Sequence, residues 1–427
     1  MASTEPKVKV ADGEVVDLAV RARRAAEVLA TADTRDKNRT LLRMADLLEE
    51  HRRILVEANR SELERATTEG VDASKVKRLV FDEAKVDSRI RSLRDIAALP
   101  DPVGDLEQMG RMENGITFGR MRVPIGVLLM IYEARPHVTV NGGAMALKSG
   151  NAIILKGGSE ARICSALIGR LWREALEEAG LPADAIQVVS MSHGEVGHLL
   201  SRPDLVDLVI PRGGKALISA VSEQSRVPVI KHFEGNCHVY VGKDADPEMA
   251  LRIVLDSKLL MPGVCNAAES LLVDYSLLGW VPILVTELRY RGIEVRGCPL
   301  TVAKVPDVVP VEDEDFATEY LDMTYSLKVV RGVDEAIAHV STYGSGHTDA
   351  IVTERYSDAQ RFLREVDSGV VLVNASTMFC DGASLGMGAE IGISTDKLHA
   401  RGPMGIRELT SYKFVLYGDG QVMGDAF

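Results

Sequence analysis

Two short apolar runs decide the fold: Ile125-Gly-Val-Leu-Leu-Met-Ile131 and Ala152-Ile-Ile-Leu-Lys156. A helical pattern follows over residues 159–180, and the same rhythm then repeats. Continuous apolar strands that alternate with helices are typical of a parallel sheet covered on both faces. We therefore expect an α/β unit whose further strands lie at residues 186–190, 206–210 and 227–231, with another helix at 214–223.

A second series of the same kind begins at residue 238. The chain has 427 residues, and domains typically contain about 100–200 residues, so two or three units are expected. We place the boundary between the two α/β series near Gly235. The strands of the second series are predicted at residues 238–242, 270–273, 329–330, 350–352 and 370–373.

The residues before the first α/β series predict helices and one hairpin. Apolar side chains recur at helical spacing over residues 36–65 and again over 74–99. The segment Met112-Glu-Asn-Gly-Ile-Thr-Phe118 places Asn-Gly between two short apolar runs. This is the strongest local signal for a hairpin with a type I′ turn, in which both central residues have positive φ. We expect the hairpin, and a late strand at 412–417, to extend from the globular body.

Composition excludes several classes of protein. A formal net charge of −12 argues against a nucleic-acid partner, which requires a positive surface. The five cysteines form no CxxC and no HExxH occurs, so neither a disulfide framework nor a metal site is expected. The first 16 residues lack an apolar core, and no apolar run approaches the roughly 20 residues of a membrane helix. We expect a soluble, cytoplasmic protein without a membrane partner.

Two glycine pairs that follow predicted strands are candidates for phosphate binding. They lie in Leu155-Lys-Gly-Gly-Ser159 and in Ile210-Pro-Arg-Gly-Gly-Lys215, whereas GxGxxG and GxxxxGK[ST] are both absent. A strand that ends in glycines and opens a helix directs backbone N–H groups and the positive helix end at an anion. Without further evidence, a Gly-Gly pair at the end of a strand is more often a simple turn than a phosphate-binding loop.

The segment Met261-Pro-Gly-Val-Cys-Asn266 contains the candidate nucleophile, Cys265. Pro-Gly forces a turn after a helix predicted at 250–260, so Cys265 is expected at a bend or a helix N-terminus. Backbone donors there can lower the pKa of the thiol and hold an oxyanion. Composition alone favours a buried cysteine that acts as a small apolar side chain. A hydrolase that pairs Cys265 with His137, His232 or His238 also stays open, because spacing says nothing about proximity.

Motifs that occur in order along nearly the whole chain resemble the γ-glutamyl phosphate reductase family. The longest is Gly388-Ala-Glu-Ile-Gly-Ile-Ser-Thr-Asp-Lys-Leu-His-Ala-Arg-Gly-Pro-Met-Gly405. The others are Val123-Pro-Ile-Gly-Val127, Tyr132-Glu-Ala-Arg-Pro136, Leu147-Lys-Ser-Gly-Asn151, Lys156-Gly-Gly-Ser-Glu160, Pro211-Arg-Gly-Gly214, Gly235-Asn-Cys-His238, Pro262-Gly-Val-Cys-Asn266, Tyr343-Gly-Ser-Gly-His-Thr-Asp349 and Asn374-Ala-Ser-Thr377.

This resemblance implies the fold of the aldehyde dehydrogenase superfamily, with two doubly wound parallel-sheet α/β domains and a small β oligomerisation element. The implied cofactor-binding domain comprises residues 1–106 and 121–235, and the catalytic domain comprises 236–408. Residues 107–120 and 409–427 would supply the hairpin and strand of a homodimer or homotetramer.

The resemblance also implies a reaction. Cys265 and Asn266 are the implied catalytic residues, with Cys265 as the nucleophile, so the implied activity is NADPH-dependent reduction of L-glutamyl 5-phosphate through a Cys265 thioester. The products would be L-glutamate 5-semialdehyde and phosphate, in proline biosynthesis, with a glutamate kinase supplying the substrate. Glu234 lies near the water-activating glutamate of hydrolytic relatives. We expect it to be a bystander here, because water would destroy the thioester.

The implied cofactor is NADP. Ser159 stands where NAD-preferring relatives often carry a glutamate that would repel the 2′-phosphate, and Lys156 can pair with that phosphate. Glu160, one residue further on, is the feature that opposes this preference. The implied cofactor-binding residues are Lys156, Gly157, Ser159, Gly213, Gly214 and Glu319.

Four positions depart from the family pattern. Met378 and Met261 replace common arginines, which matters because a thioether cannot hold a carboxylate or phosphate bidentately. His137 and Asn141 replace a common asparagine and aspartate. Three alternatives therefore stay open: a reductase of a related acyl phosphate, an aldehyde dehydrogenase in a specialised pathway, and a silent scaffold that partners a kinase. The candidate substrate-binding residues are Arg135, His137, Asn374, Ser376, Met378 and Arg401.

Overall fold

The structure, a computed structural model, describes residues 12–231 and 233–424 and divides them into two units. Unit 1 contains the described residues up to Ile230, together with 387–391 and those from Met404 onward. Unit 2 contains 231–386, without the undescribed residue 232, and 392–403. The predicted division differs, because it placed the boundary at residue 235 and assigned 387–391 and 404–408 to the second domain.

Strands and α-helices alternate from β3 to β10 and again from β11 to β13, in the α/β rhythm that the sequence predicts. In chain order they are α1 (Asp12–Leu29), α2 (Thr34–Glu50), α3 (Arg52–Thr68), α4 (Ala73–Leu79), α5 (Glu83–Ala98), β1 (Leu106–Arg111), β2 (Thr117–Pro124), β3 (Val127–Tyr132), α6 (Pro136–Lys148), β4 (Ala152–Lys156), α7 (Arg162–Ala179), β5 (Ile186–Val189), α8 (His193–Leu200), β6 (Leu208–Arg212), α9 (Lys215–Gln224), β7 (Cys237–Val241), α10 (Pro247–Leu259), β8 (Ala268–Asp274), α11 (Val281–Tyr290), β9 (Glu294–Gly297), α12 (Pro299–Lys304), β10 (Val309–Pro310), β11 (Thr324–Val330), α13 (Val333–Tyr343), β12 (Thr348–Val352), α14 (Tyr356–Glu365), β13 (Val370–Val373), β14 (Gly392–Ser394), β15 (Gly402–Met404) and β16 (Thr410–Tyr417).

Unit 1 is built on a four-stranded parallel sheet in the order β5-β4-β3-β6. The chain therefore runs outward from β3 to β5 and then crosses back to place β6 on the other side of β3. Open α/β sheets bind ligands at such a switch point, outside the carboxyl ends of the strands. A fifth strand predicted at 227–231 is wrong. Only Val229 bridges to β6, because the adjacent Pro228 has no N–H to donate.

Two helices predicted before the sheet are each divided in two. The pattern over 36–65 breaks at His51, whose ring Nδ1 lies 3.0 Å from the carbonyl oxygen of Leu47. The pattern over 74–99 breaks before Asp82, whose side chain caps α5 by accepting from the N–H of Lys85 at 2.9 Å. Local side-chain hydrogen bonds to the backbone end helices in this way. Apolar periodicity alone does not register such breaks.

The predicted hairpin is confirmed, but its turn is not type I′. Of the two central residues, Gly115 has positive φ (90°) and Asn114 does not. The Asn114 side chain accepts from the N–H of Ile116 at 3.2 Å. Strands β1 and β2 form an antiparallel sheet with β16, in the order β1-β2-β16. Along the described chain, no helix combines the length and apolar character needed to cross a membrane.

Unit 2 is built on a seven-stranded parallel sheet in the order β10-β9-β11-β8-β7-β12-β13. Val239 and Val241 of β7 face one apolar core, whereas Tyr240 between them faces another, so both faces of the sheet are covered. The predicted fold class is confirmed: two α/β units with parallel sheets and a small antiparallel sheet. The sequence missed β9 and β10, which are short and partly polar.

Candidate active site

Cys265 lies in a turn at the amino edge of the unit 2 sheet. Helix α10 ends at Leu259 and β8 begins at Ala268, and the N–H of Ala267 closes the turn on the carbonyl oxygen of Val264 at 3.1 Å. The expected helix N-terminus is wrong, since a strand follows; the expected bend is present. The Cys265 side chain is half-buried, and none of the five cysteines, all within the described residues, forms a disulfide. The turn therefore leaves the thiol partly accessible.

The main chain of Cys265 is fixed by the segment that enters β7. A Cβ atom on Gly235 would lie 1.8 Å from the carbonyl oxygen of Cys265, so only glycine fits this approach. Cys237 donates its thiol hydrogen to the same oxygen at 3.2 Å. Burial raises the pKa of the Cys237 thiol well above its ordinary value, so this donor keeps its proton. Glu319, predicted to bind the cofactor, accepts from the N–H of Gly235 at 2.8 Å.

Asn266 fastens the turn to a second loop. Its side-chain amide is buried and donates towards three carbonyl oxygens, at distances of 3.1–3.4 Å. These oxygens belong to Thr377, Met378 and Cys380. The amide of Asn266, a residue predicted to be catalytic, thus donates to the protein itself and links the Cys265 turn to this loop.

The other predicted substrate residues of unit 2 are engaged within the unit. Ser376 is buried and bonds the Ser257 hydroxyl at 3.1 Å, and Met378 is 8% exposed. Asn374 is exposed, but its amide donates to and accepts from the Thr353 backbone, at 2.9 and 2.8 Å. Arg401 donates two hydrogen bonds of 2.6 Å to Asp367, one to the side chain and one to the backbone. Met261 is exposed just before the cysteine turn.

A buried ion pair close to the turn was missed by sequence reasoning. Lys258, at the end of α10, lies 2.7 Å from Glu269 in β8, and both side chains are fully buried. Glu269 also accepts from the N–H of Leu321 at 3.2 Å. Burial raises the pKa of Glu269 to about 7, although Lys258 opposes the shift. A glutamate inside the apolar run of β8 is the signal that could have revealed this pair.

In unit 1 the first glycine pair follows β4. A Cβ on Gly157 would lie 3.2 Å from the Tyr132 ring, and one on Gly158 would lie 2.1 Å from the Glu160 carboxylate. Burial lowers the pKa of Lys156, and the nearby Glu160 and Glu133 oppose that shift. The glycines thus keep side chains out of the space beyond β4.

A cavity of about 410 Å³ lies beside this loop, lined by Ser159, Glu160, Arg65, Arg162 and Ser190 among others. The N-terminus of α7 is closed to a phosphate. Glu62 accepts there from two N–H groups, those of Ile163 (2.6 Å) and Cys164 (3.3 Å).

The second glycine pair opens α9, where a carboxylate already lies. Glu133 accepts from the N–H of Gly214 at 3.3 Å, and a Cβ on Gly213 would lie 2.9 Å from it. An anion at a helix N-terminus is stabilised by exposed N–H groups and by the helix dipole. Glu133 thus occupies the N-terminus of α9 as Glu62 occupies that of α7, and both glycine pairs lie at the carboxyl edge of this sheet.

Histidine partners for Cys265 gain no support from the described residues. His238 is buried, and its ring Nδ1 lies 2.9 Å from the Asp349 carboxylate. His232 lies outside the described residues, and His137 belongs to unit 1. No cluster of three or more His, Cys, Asp or Glu side chains in the described ranges could hold a metal ion.

The two parallel-sheet units, with glycine turns in one and a constrained cysteine in the other, define the class of an aldehyde-dehydrogenase-type oxidoreductase. The sequence model of the "Aldehyde dehydrogenase family" matches residues 3–281. A γ-glutamyl phosphate reductase from Caldanaerobacter subterraneus subsp. tengcongensis is 47% identical, with 96% of this chain and 99% of the relative covered. One from Carboxydothermus hydrogenoformans is 46% identical, with 96% and 100% covered.

Among solved structures, the γ-glutamyl phosphate reductase of Thermotoga maritima superposes with a TM-score of 0.93. It is 44% identical, with 96% of this chain and 100% of that chain covered. The chain belongs to the γ-glutamyl phosphate reductase family, within the aldehyde dehydrogenase family. It is therefore an oxidoreductase that acts on an aldehyde or acyl phosphate with a nicotinamide cofactor.

Proposed function

We propose that the protein reduces L-glutamyl 5-phosphate to L-glutamate 5-semialdehyde and phosphate with NADPH, a step towards proline. The observation that carries the proposal is the Cys265 turn. Its main chain is held by Gly235 and Cys237, while the thiol stays partly accessible. A nucleophile must be held in a fixed geometry to attack efficiently.

In the proposed reaction the Cys265 thiolate attacks the acyl carbonyl carbon, and the bond to the phosphate oxygen breaks. Phosphate leaves with the electron pair and takes up a proton, and the acyl group stays on Cys265 as a thioester. A nicotinamide cofactor, when bound, would supply the hydride that converts the thioester on Cys265 to the anion of a thiohemiacetal. Collapse of the thiohemiacetal releases the aldehyde and returns the thiolate. The N–H of Cys265 is the proposed donor to the developing oxyanion.

Unit 1 would bind the cofactor. Lys156, Gly157, Ser159, Gly213 and Gly214 are proposed to contact it. Glu319, the remaining predicted cofactor residue, lies in unit 2, where it accepts from the N–H of Gly235. The preference for NADP is supported by Arg65, whose guanidinium donates to the carbonyl oxygens of Ser159 and Glu160, both at 3.4 Å. Arg162 lines the same cavity. The two guanidinium groups and the absence of a carboxylate at position 159 suit a 2′-phosphate, whereas Glu69 and Glu160 in the same lining oppose it.

The proposed NADP preference has a direct test. Arg65→Met is expected to raise the KM for NADPH about tenfold or more, since it removes charge-assisted hydrogen bonds, and to leave the KM for NADH nearly unchanged. Arg60→Met changes an exposed arginine on the same helix and serves as the control. Equal effects of Arg65→Met on both cofactors would contradict the assignment.

The three-stranded sheet β1-β2-β16 is proposed to carry assembly into a homodimer or homotetramer. It exposes Tyr412, Phe414 and Leu416 on one strand, an apolar density that suits a protein interface. A cytoplasmic location and a kinase that supplies the acyl phosphate complete the proposal.

The reaction is tested in reverse, by following NADPH formation from glutamate semialdehyde and phosphate. We expect phosphate-dependent activity that Cys265→Ala abolishes and that Cys298→Ala retains at least in part. Oxidation without phosphate would instead favour the aldehyde dehydrogenase alternative. A chain that neither binds NADPH nor alkylates at Cys265 would be a silent scaffold.

A further inference from the structure

Basic side chains converge at the switch point of the unit 1 sheet. Tyr132, the last residue of β3, pairs with Arg212, the last residue of β6. The next N–H along the chain, that of Glu133, donates to the carbonyl oxygen of Arg212 at 3.2 Å. Arg135 follows two residues later and precedes the first turn of α6. Arg135 and Arg212 therefore leave the sheet at neighbouring strand ends.

Two helices bring further polar side chains to the same place. His137 and Asn141 lie one turn apart on α6, so they share a face. Lys85 and Arg89 lie one turn apart on α5, which packs against α6. The four cations Arg89, Arg135, Lys85 and Arg212 all lie close enough to act on the His137 ring.

Four of these partly buried side chains each have one buried polar atom without a protein partner. The atoms are Arg89 Nε, Arg212 Nε, His137 Nδ1 and Asn141 Oδ1. Among the described residues, the Arg89 side chain makes one hydrogen bond, to the Ser88 hydroxyl at 2.8 Å. Buried polar atoms nearly always have partners, because burial without one is costly. The Nε–H groups of Arg89 and Arg212 are donors, and His137 Nδ1 donates in one of its tautomers, so together they indicate a ligand that accepts hydrogen bonds.

The local charge is positive and is not balanced by a carboxylate ion pair at Arg89. Burial and the surrounding cations lower the pKa of His137 to about 3, and burial lowers the pKa of Arg89 as well. The carboxylate closest along the chain, Glu133, bonds instead to the N–H of Gly214. An oxyanion would relieve the mutual repulsion of the cations and satisfy the buried donors at the same time.

We infer that Arg89, Arg135 and Arg212, together with His137, form an oxyanion-binding site at the switch point of unit 1. Its proposed ligand is a phosphate or carboxylate group of the acyl phosphate substrate. The identity of that ligand rests on the proposed function, whereas the site itself rests on unit 1 alone. Arg401 of unit 2 is the weaker candidate for this task, because Asp367 already accepts from its guanidinium.

Three groups of the substrate and cofactor are oxyanions that this site could bind. The substrate has a phosphate and an α-carboxylate, and the cofactor has a pyrophosphate. The reverse reaction separates them, since phosphate, semialdehyde and NADP are then independent substrates with separate KM values. The substrate whose KM rises in an Arg89 variant is the one that carries the group bound at this site.

We propose to compare Arg89→Met with Arg94→Met, which removes an exposed arginine from the same helix. Arg89→Met is expected to raise the KM for phosphate or for semialdehyde about tenfold to a hundredfold, the range for a lost hydrogen bond between charged groups. The KM for NADP should change less than about twofold. Arg89→Lys, which keeps the charge but not the planar fork, should recover part of the loss.

A second measurement does not require activity. Sulfate should raise the melting temperature of the wild type and of Arg94→Met above the value in chloride of equal ionic strength, and this shift should be lost in Arg89→Met. If the protein lacks the proposed reductase activity, the sulfate shift still tests the site. An equal sulfate shift in all variants, or a rise confined to the KM for NADP, would overturn the proposal.

Discussion

Gly235→Ala should disable the Cys265 turn without touching the thiol. The added Cβ would lie 1.8 Å from the carbonyl oxygen of Cys265, 2.5 Å from its carbonyl carbon and 2.7 Å from its Cα. Real Cβ atoms essentially never approach closer than 3.0 Å, so the turn must move by more than 1 Å. All three atoms are backbone, and no flexible side chain can yield.

We expect two consequences of this displacement. Overpacking of this kind costs about 1–3 kcal/mol of the free energy of unfolding. A misplacement of about 1 Å at a reacting group can lower the rate about a hundredfold. The assays are urea denaturation, kcat in the reverse direction, and the rate at which iodoacetamide alkylates Cys265. NADPH binding should be retained.

Gly263→Ala is the matched control, because Gly263 lies in the same turn. Its added Cβ would approach nothing closer than the carbonyl oxygen of Leu321 at 3.7 Å, an ordinary contact. We expect nearly normal kcat and stability for this variant. A Gly235→Ala enzyme with normal kcat, stability and alkylation rate would refute the view that this contact positions Cys265.

Three further predictions concern buried polar groups. Lys258→Met should cost about 3–5 kcal/mol of unfolding free energy by leaving Glu269 unpaired. Because the native pKa of Glu269 is raised to about 7, its protonated form should limit this loss at low pH, and the loss should grow as the pH rises through that value in urea titrations. An equal loss at all pH values would contradict this. The pKa of His137 is lowered to about 3 in the folded protein, whereas its ordinary value is about 6.5. Between these two values the unfolded state binds more protons than the folded state, so the free energy of unfolding should fall as the pH falls. A bound anion favours the protonated His137 ring and so raises its lowered pKa. Sulfate, which stays a dianion, should therefore bind more tightly at about pH 5.5 than at about pH 8 in calorimetric titrations, and His137→Asn should remove the difference. Asn266→Ala should lower kcat about tenfold or more by releasing the loop at 377–380, with the KM for NADPH unchanged; a proportional rise in that KM would argue against a positioning role.

Strands were predictable where an apolar run contains no proline and no side chain that hydrogen-bonds to the nearby backbone. Strand β4 occupies the predicted residues 152–156, and β13 the predicted 370–373. The pattern failed where one residue changed the outcome. Pro228 has no N–H for a strand, and the Asp82 side chain begins a new helix. These effects are local hydrogen-bond choices, and hydrophobic spacing does not encode them.

The candidate site was predictable to a different degree in each unit. The turn that presents Cys265 follows from Pro-Gly, and the glycine pairs after β4 and β6 lie where the sequence predicts them. The constraint on the turn did not follow, because Gly235 is 30 positions away in the chain and meets Cys265 only through pairing of β7 with β8. The partners of Asn266 are further still in sequence. Contacts of this kind depend on sheet order, which one sequence does not specify.

Global and local charge have opposite signs in this protein, and this bears on how it binds its ligands. The chain carries −12, while its proposed substrate and cofactor are both anions. A uniform negative surface would repel them, although physiological salt screens such repulsion beyond about 8 Å. Binding must therefore depend on cations held close to the ligand and partly removed from water. Many of the arginines lie in ion pairs at or near the surface, as Arg52 and Arg361 illustrate. Among the described residues, Arg89 and Arg212 have no carboxylate partner, and their Nε atoms are buried without a protein partner. That contrast is the physical reason to assign anion recognition to the switch point of unit 1, and not to the overall charge of the protein.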